Sequence, residues 1–370
     1  MSQIKAEHLS VGYGKKIVLS DLSFAADKGQ VVTLIGPNGA GKSTILKTFI
    51  KQLAPLGGVA YVGEKSIARL SEKEMALQLS VVMTGRLKPE LMTCREVVAT
   101  GRYPYTGRLG ILGKEDWLRV DEAMHMVHAM ETADCYFQQI SDGQKQRVML
   151  ARAICQDTQV LILDEPTSYL DIRYKLDIME SIRLLAKEKG RTVLMSLHEL
   201  DLARMISDVI LCVDGEKISK IGSPEEIFQG TVMETLYHIK ERSYDPVTGA
   251  VYLERAKGAP QGFVIGGGGR SLALYSYLNR QRIPFVAGLL WEDDVAYSMA
   301  VATAGQCFSQ KSGYPFPQEE IRRAKEAVDA CLFCVSTKSG FGPLEEGNRI
   351  VYNYAKERNK LIDEEEVWQK

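Results

Sequence analysis

Gly36-Pro37-Asn38-Gly39-Ala40-Gly41-Lys42-Ser43-Thr44 is the stretch that decides the fold of this chain. It follows Val31-Val32-Thr33-Leu34-Ile35, which reads as a buried strand, and it opens a helix from about Lys42. The spacing is G-x-x-x-x-G-K-[ST]. Its glycines let the backbone curl so that N–H groups face a phosphate, and the helix N-terminus adds positive potential. Each residue from Gly36 to Thr44 is therefore a candidate contact to ATP. Lys42 would hold the β- and γ-phosphates and Ser43 would coordinate Mg²⁺.

Working outward, Val160-Leu161-Ile162-Leu163-Asp164-Glu165 is an apolar strand whose carboxyl end carries two acids. Ligands of parallel α/β sheets sit at that end. Asp164 is the second candidate Mg²⁺ ligand, and Glu165 the candidate group that polarises an attacking water. Val59–Val62, Val81–Met83 and Thr192–Leu197 read as further strands. Residues 114–130 and Ile172–Glu188 read as helices. This alternation predicts an α/β fold with a parallel sheet covered on both faces. Val209–Val213 and Lys217–Ile221 are joined through Asp214-Gly215, a hairpin signal. The chain before Val31 reads as short strand-like pieces and turns.

With both nucleotide motifs in place, the sequence resembles the ATP-binding cassette (ABC) family over about residues 3–230. Ile140-Ser141-Asp142-Gly143-Gln144 is similar to the family signature, usually L-S-G-G-Q. The resemblance implies that Ser141, Gly143 and Gln144 close on ATP held by a second copy of the chain, in a head-to-tail homodimer. Asp142 departs from the pattern and has to point away from the nucleotide. Ser168-Tyr169-Leu170-Asp171 resembles the dimer-contact loop. His198, in Ser196-Leu197-His198, stands where the family has its γ-phosphate-sensing histidine, and Tyr13 where an aromatic stacks on adenine. Thr84 aligns with the usual metal-touching glutamine, and its shorter hydroxyl would reach Mg²⁺ only through water.

Thr93–Val98 and Gly101-Arg102-Tyr103-Pro104-Tyr105 are closest to the importers of iron–siderophore, haem and cobalamin type. The resemblance thus implies a RecA-like core with helical and antiparallel β subdomains over residues 1–255. It also implies an ATPase at the cytoplasmic face of the cell membrane, working with transmembrane permease subunits and an external substrate-binding protein. A soluble, ligand-regulated ATPase not coupled to transport is the alternative. A DNA- or ribosome-directed ATPase would be expected to show two cassettes or long heptads, which this chain lacks.

At 370 residues the chain has room for about two domains, and 45% hydrophobic with 25% charged residues excludes a disordered or disulfide-scaffold protein. Net charge is −1, with 33 basic and 33 acidic residues before Gly258 and 13 and 14 after it. Neither half has the basic balance of a nucleic-acid-binding domain. No apolar run is long enough to span a bilayer. The seven cysteines read as free thiols. Cys331 and Cys334 fall in an apolar strand, where residues three apart point to opposite faces and make no metal pair. His125 and His128 read as a plain helix face.

Residues 256–370 predict a small Rossmann-like α/β domain. Its elements are Phe263–Ile265, Ser271–Arg282, Pro284–Trp291, Asp293–Ala304, Gln318–Ala330, Cys331–Ser336 and Asn348–Leu361. Gly266-Gly267-Gly268-Gly269-Arg270-Ser271 is a second strand–glycine–helix turn, without clean G-x-G-x-x-G spacing at Leu272 or Ala273. Asp293 is the expected cap of the following helix. If the sheet is parallel, this turn shares one edge with the loops after Trp291 and after Ser336.

Overall fold

Two strands of 12 residues begin the chain, β1 (Ser2–Tyr13) and β2 (Lys16–Asp27), where the sequence suggested short pieces. The pairing slips between Ala6 and Leu9, and His8 and Asp21 take positive φ. These irregularities break the period-2 alternation that would mark long strands. Next come β3 (Val31–Ile35), the helix Lys42–Phe49, β4 (Gly57–Val62) and β5 (Lys65–Ser66). β6 (Leu79–Val82), β7 (Val160–Asp164), β8 (Thr192–Ser196), β9 (Val209–Val213) and β10 (Ile218–Gly222) complete the strands of the first part. The computed structural model describes residues 2–83, 89, 91–107, 110–338 and 340–368.

These strands form two sheets, one antiparallel with order β2-β1-β4-β5, one of six strands with order β10-β9-β3-β8-β7-β6. In the second, β9, β3, β8, β7 and β6 run parallel, and β10 closes one edge antiparallel to β9. All residues of β3, β7 and β8 are buried, as their apolar sequences require. One apolar core joins the two sheets through Leu19, Phe24, Leu34, Ile45, Phe49 and Ile162. The helices Cys94–Ala99, Lys114–Met126 and Asp142–Cys155 pack on one another as a helical part between β6 and β7. The helix expected over 114–130 stops at Met126, because His128 takes φ 54°.

The chain divides into two compact units, Met1–Tyr237 and His238–Lys370. Residues 238–255, expected with the first domain, group with the second. Asn279 Nδ2 donates to Leu253 O at 3.2 Å, and Arg255 reaches Gly305 O at 3.4 Å. The second unit contains β11 (Gly262–Ile265), β12 (Phe285–Trp291), β13 (Gln306–Gln310), β14 (Phe333–Ser336) and β15 (Leu361–Ile362). All pair parallel, in the order β13-β12-β11-β14-β15. Separate apolar clusters cover the two faces. One contains Leu274, Tyr275, Leu278 and Phe285, and the other Phe263, Leu289, Ile321 and Val351.

β13 is a short edge strand absent from the sequence reading, because its two apolar residues, Cys307 and Phe308, are flanked by polar ones and make no apolar run. β15 was hidden inside the expected helix 348–361, which runs instead over Glu346–Glu357. The helix expected from Asp293 starts at Tyr297. Its approach is held by Asp294, not Asp293: Ala296 N donates to Asp294 Oδ1 at 2.8 Å.

Candidate nucleotide site

β3 delivers the chain to Gly36, which takes φ 146°. A Cβ there would overlap the Val213 carbonyl of β9, so the loop lies against the sheet only because this residue has no side chain. Gly39 and Gly41 also take positive φ before the helix begins at Lys42. Lys42 is 5% exposed, and its Nζ donates to Gly36 O at 2.6 Å and to Pro37 O at 3.0 Å. Burial lowers the Lys42 pKa, against an opposing pull from Glu165 and Asp164.

Asp164 ends β7 and is 1% exposed. Its Oδ1 accepts from Ser43 Oγ at 3.0 Å and from Ser196 Oγ at 2.7 Å. Ser196 ends β8 directly beside Asp164 and also accepts the Glu165 N–H at 3.0 Å. This serine was quoted only as the neighbour of His198. Its position follows from the pairing of β7 with β8, which no local motif specifies. Glu165 sits at φ 50°, a conformation that costs a non-glycine residue about 1 kcal/mol or more and clusters at functional sites. Glu165 Oε1 lies 2.6 Å from His198 Nε2, and Oε2 accepts from Ser168 Oγ at 3.0 Å.

Lys42, Ser43, Glu165 and His198 face an open cleft of about 320 Å³, lined by residues 38–44 with Tyr13, Val18, Glu165 and His198. Tyr13 stands half-exposed at the tip of the β1–β2 hairpin, where it pairs with Lys16. The folding of that hairpin against the loop brings Val18 to the cleft as well, a contact that no sequence signal marked.

Ser141, Gly143 and Gln144 do not line this cleft. Ser141 caps the helix Asp142–Cys155, its Oγ accepting Gln144 N–H at 3.3 Å while its own N–H donates to Gln144 Oε1 at 2.9 Å. Asp142 lies in that helix's first turn, where a carboxylate suits the helix dipole. Thr84 lies outside the described residues.

Among the described residues no group of three or more His, Cys, Asp and Glu side chains is placed to hold a metal. Cys331 precedes β14 rather than lying in it, and both it and Cys334 are free and buried. Burial pushes the Cys331 thiol up to about 11 and the Cys334 thiol up to about 12, far from a reactive thiolate. The segment at Gly101–Tyr105 is a 3-10 turn. Arg102 bonds Asp116 Oδ1 at 2.9 Å and packs on the Tyr105 ring, leaving Tyr103 outward.

Residues 19–168 match the family model described as ABC transporter. An uncharacterized ABC transporter ATP-binding protein of Methanocaldococcus jannaschii is 38% identical over 290 residues, 78% of this chain and 99% of that protein. The iron(3+)-hydroxamate import ATP-binding protein FhuC of Bacillus subtilis is 35% identical over 239 residues, 65% of this chain and 89% of its own length. A solved dimeric ATP-binding cassette, in a post-hydrolysis state bound to ADP and Pi, superposes with a TM-score of 0.54 at 25% identity. That match covers 60% of this chain and 98% of the cassette. With a strand–glycine–helix loop, a buried Asp164 and a Glu165–His198 pair at one sheet edge, the chain belongs to the ABC transporter family, as a nucleotide-binding ATPase subunit.

Proposed function

We propose that the chain is the ATP-hydrolysing subunit of an importer for a metal chelate, an iron–siderophore or haem, or for cobalamin. It would work at the cytoplasmic face of the membrane with separate permease subunits and an external substrate-binding protein. The observation that carries the reading is that Lys42, Ser43, Glu165 and His198 line one cleft, with the buried Asp164 bonded to Ser43. The likeness to a hydroxamate-import subunit supports the substrate class.

In this reading adenine stacks on Tyr13 and the phosphates lie along residues 36–44. The Lys42 ammonium leaves the Gly36 and Pro37 carbonyls for the β- and γ-phosphates, a charge-assisted exchange. Ser43 Oγ and Asp164 Oδ1 are two oxygen donors 3.0 Å apart, a set that suits Mg²⁺ shared with phosphates and water. Bound there, the ion would offset charge on the β- and γ-phosphates. Glu165 orients and polarises the attacking water, while Ser168 and His198 fix its carboxylate. His198 is then positioned for the γ-phosphate.

In the same reading Ser141–Gln144, which do not line their own chain's cleft, close on ATP held by a second copy, head to tail. Closure of two copies over two ATP molecules would drive the permease. The test is coexpression with a candidate permease of that importer class. Copurification and ATP-dependent uptake of a ferric hydroxamate, haem or cobalamin are expected. Absence of a copurifying permease would overturn the transport reading and favour a soluble, ligand-regulated ATPase.

A further inference from the structure

We propose that Glu199 is a positioning residue for ATP hydrolysis: by clamping Thr167 it keeps the strained turn that carries Glu165 in the conformation that presents its carboxylate to the cleft. The inference rests on the reading above that Glu165 handles the attacking water. It adds to that reading a group that acts on Glu165 from outside the cleft.

The turn runs from the end of β7 to the helix Ile172–Lys187. Two of its residues take left-handed backbone without being glycine, Glu165 at φ 50° and Tyr169 at φ 66°. Such conformations are costly and persist only where the surroundings over-determine them. Ser196 holds the Glu165 amide, and His198 and Ser168 hold its carboxylate. The residues that follow Glu165 have to be fixed from elsewhere.

Glu199 supplies that restraint. Thr167 is 1% exposed, and its Oγ1 donates to Glu199 Oε2 at 2.9 Å. The other carboxylate oxygen, Oε1, accepts from Lys175 Nζ at 2.7 Å. Lys175 lies in the first turns of the helix that the turn leads into, so one carboxylate ties the middle of the turn to that helix. Glu199 also comes directly after His198. The two neighbours therefore grip the turn at two points, His198 at the Glu165 carboxylate and Glu199 two residues further on. Between those points, Gln146 Nε2 of the helix Asp142–Cys155 donates to Pro166 O at 3.2 Å.

The role of Glu199 in its own helix does not explain this placement. It stands at the N-cap of the helix Leu200–Ile206, where a side-chain oxygen ordinarily accepts a first-turn N–H. Its carboxylate makes no such bond and turns to Thr167 and Lys175 instead. Burial opposes its ionisation, yet the bonds from Lys175 and Thr167 hold its pKa below the usual carboxylate value. At neutral pH it is therefore an anion and accepts from the Thr167 hydroxyl. The described residues that line the nucleotide cleft include none of Thr167, Lys175 and Glu199. Loss of the clamp should thus slow the chemical step and leave ATP binding alone, since a shift of about 1 Å in a catalytic group can cost up to about 100-fold in rate.

The experiment measures kcat and KM for ATP on the purified full chain, with nucleotide affinity by calorimetry. Glu199→Ala should lower kcat about tenfold or more, with KM and affinity within about twofold of the parent. Thr167→Val, which exchanges the hydroxyl for a methyl, should reproduce the loss. Thr167→Ser, which keeps the hydroxyl, should hold kcat within about threefold of the parent. The Glu199→Ala, Thr167→Val double variant should be no slower than either single one, because both remove the same bond. In the Glu165→Gln background, Glu199→Ala should change single-turnover hydrolysis by less than about twofold, which a group acting through Glu165 requires. Parent-like kcat in both Glu199→Ala and Thr167→Val, with Glu165→Gln inactive, would overturn the clamp and leave the role of Glu165 standing. So would a loss in the Glu165→Gln background as large as that in the parent. Near-normal turnover of Glu165→Gln alone would instead overturn the reading on which the clamp rests.

Discussion

The chain contains two glycine turns of the same general form, residues 36–41 after β3 and residues 266–269 after β11, each at the carboxyl edge of a parallel sheet and before a helix. The first is followed by Lys42 and Ser43 and faces the buried Asp164. The second is followed by Ser271 and has a carboxylate, Asp294, already seated on its N–H group. Their difference shows that glycine geometry only opens a seat for an anion. The side chains that reach the seat from other strands decide what can occupy it. A lysine with a serine–aspartate pair suits a phosphate group, whereas at the second turn a carboxylate already accepts the N–H that an anion would need.

Mutations can break this comparison from either side. Glu165→Gln should have the largest effect: hydrolysis falls by about 100-fold or more, the usual worth of a group that handles a proton in the transition state. ATP binding is retained, so phosphate release and equilibrium nucleotide binding should separate, and near-normal turnover would remove Glu165 from the role proposed for it. Lys42→Ala should weaken ATP roughly 10- to 100-fold by the loss of charge-assisted bonds, measured by calorimetry. An affinity unchanged by that substitution would mean that the nucleotide binds elsewhere.

The two turns should also answer differently to a methyl group. Gly36→Ala forces a Cβ into the Val213 carbonyl and should cost about 3 kcal/mol or more of stability. Gly268→Ala meets open space and should cost only about 1 kcal/mol, from its positive φ. Equal losses in denaturant unfolding would refute the contrast. Smallest of all, Ser141→Ala removes one half of a capping box and should lower stability by about 1 kcal/mol. Its effect on hydrolysis should exceed its effect on stability if a second copy uses that serine.

What could be read in the sequence was whatever a short contiguous stretch specifies. The loop 36–44 and the acids ending β7 were legible because strand, turn and helix signals follow one another within a few residues. The parallel core of the first unit was legible for the same reason, since fully apolar strands alternating with helices have few other solutions, while the second unit's sheet was parallel only as a condition of the reading. The long β1 and β2 were hidden by register slips at His8 and Asp21, and β13 by its short length, with only Cys307 and Phe308 apolar. Asp293 and Asp294 are adjacent candidates for the same local role, and only the backbone path decides that Asp294 accepts from Ala296 N–H.

The sequence by itself determined the local elements of the candidate nucleotide site, because strand, glycine turn and helix signals are contiguous there and the glycines impose the backbone conformation. Only the tertiary structure decided which side chains meet. Ser196 holds Asp164 and Glu165 through the pairing of β7 with β8. Residues Ser141–Gln144 lie outside the cleft of their own chain, and Asp294 accepts the Gly268 N–H of a turn 26 residues earlier. Each of these depends on contacts between residues far apart in the chain, whose register is fixed by packing of the whole sheet and by no single stretch within it.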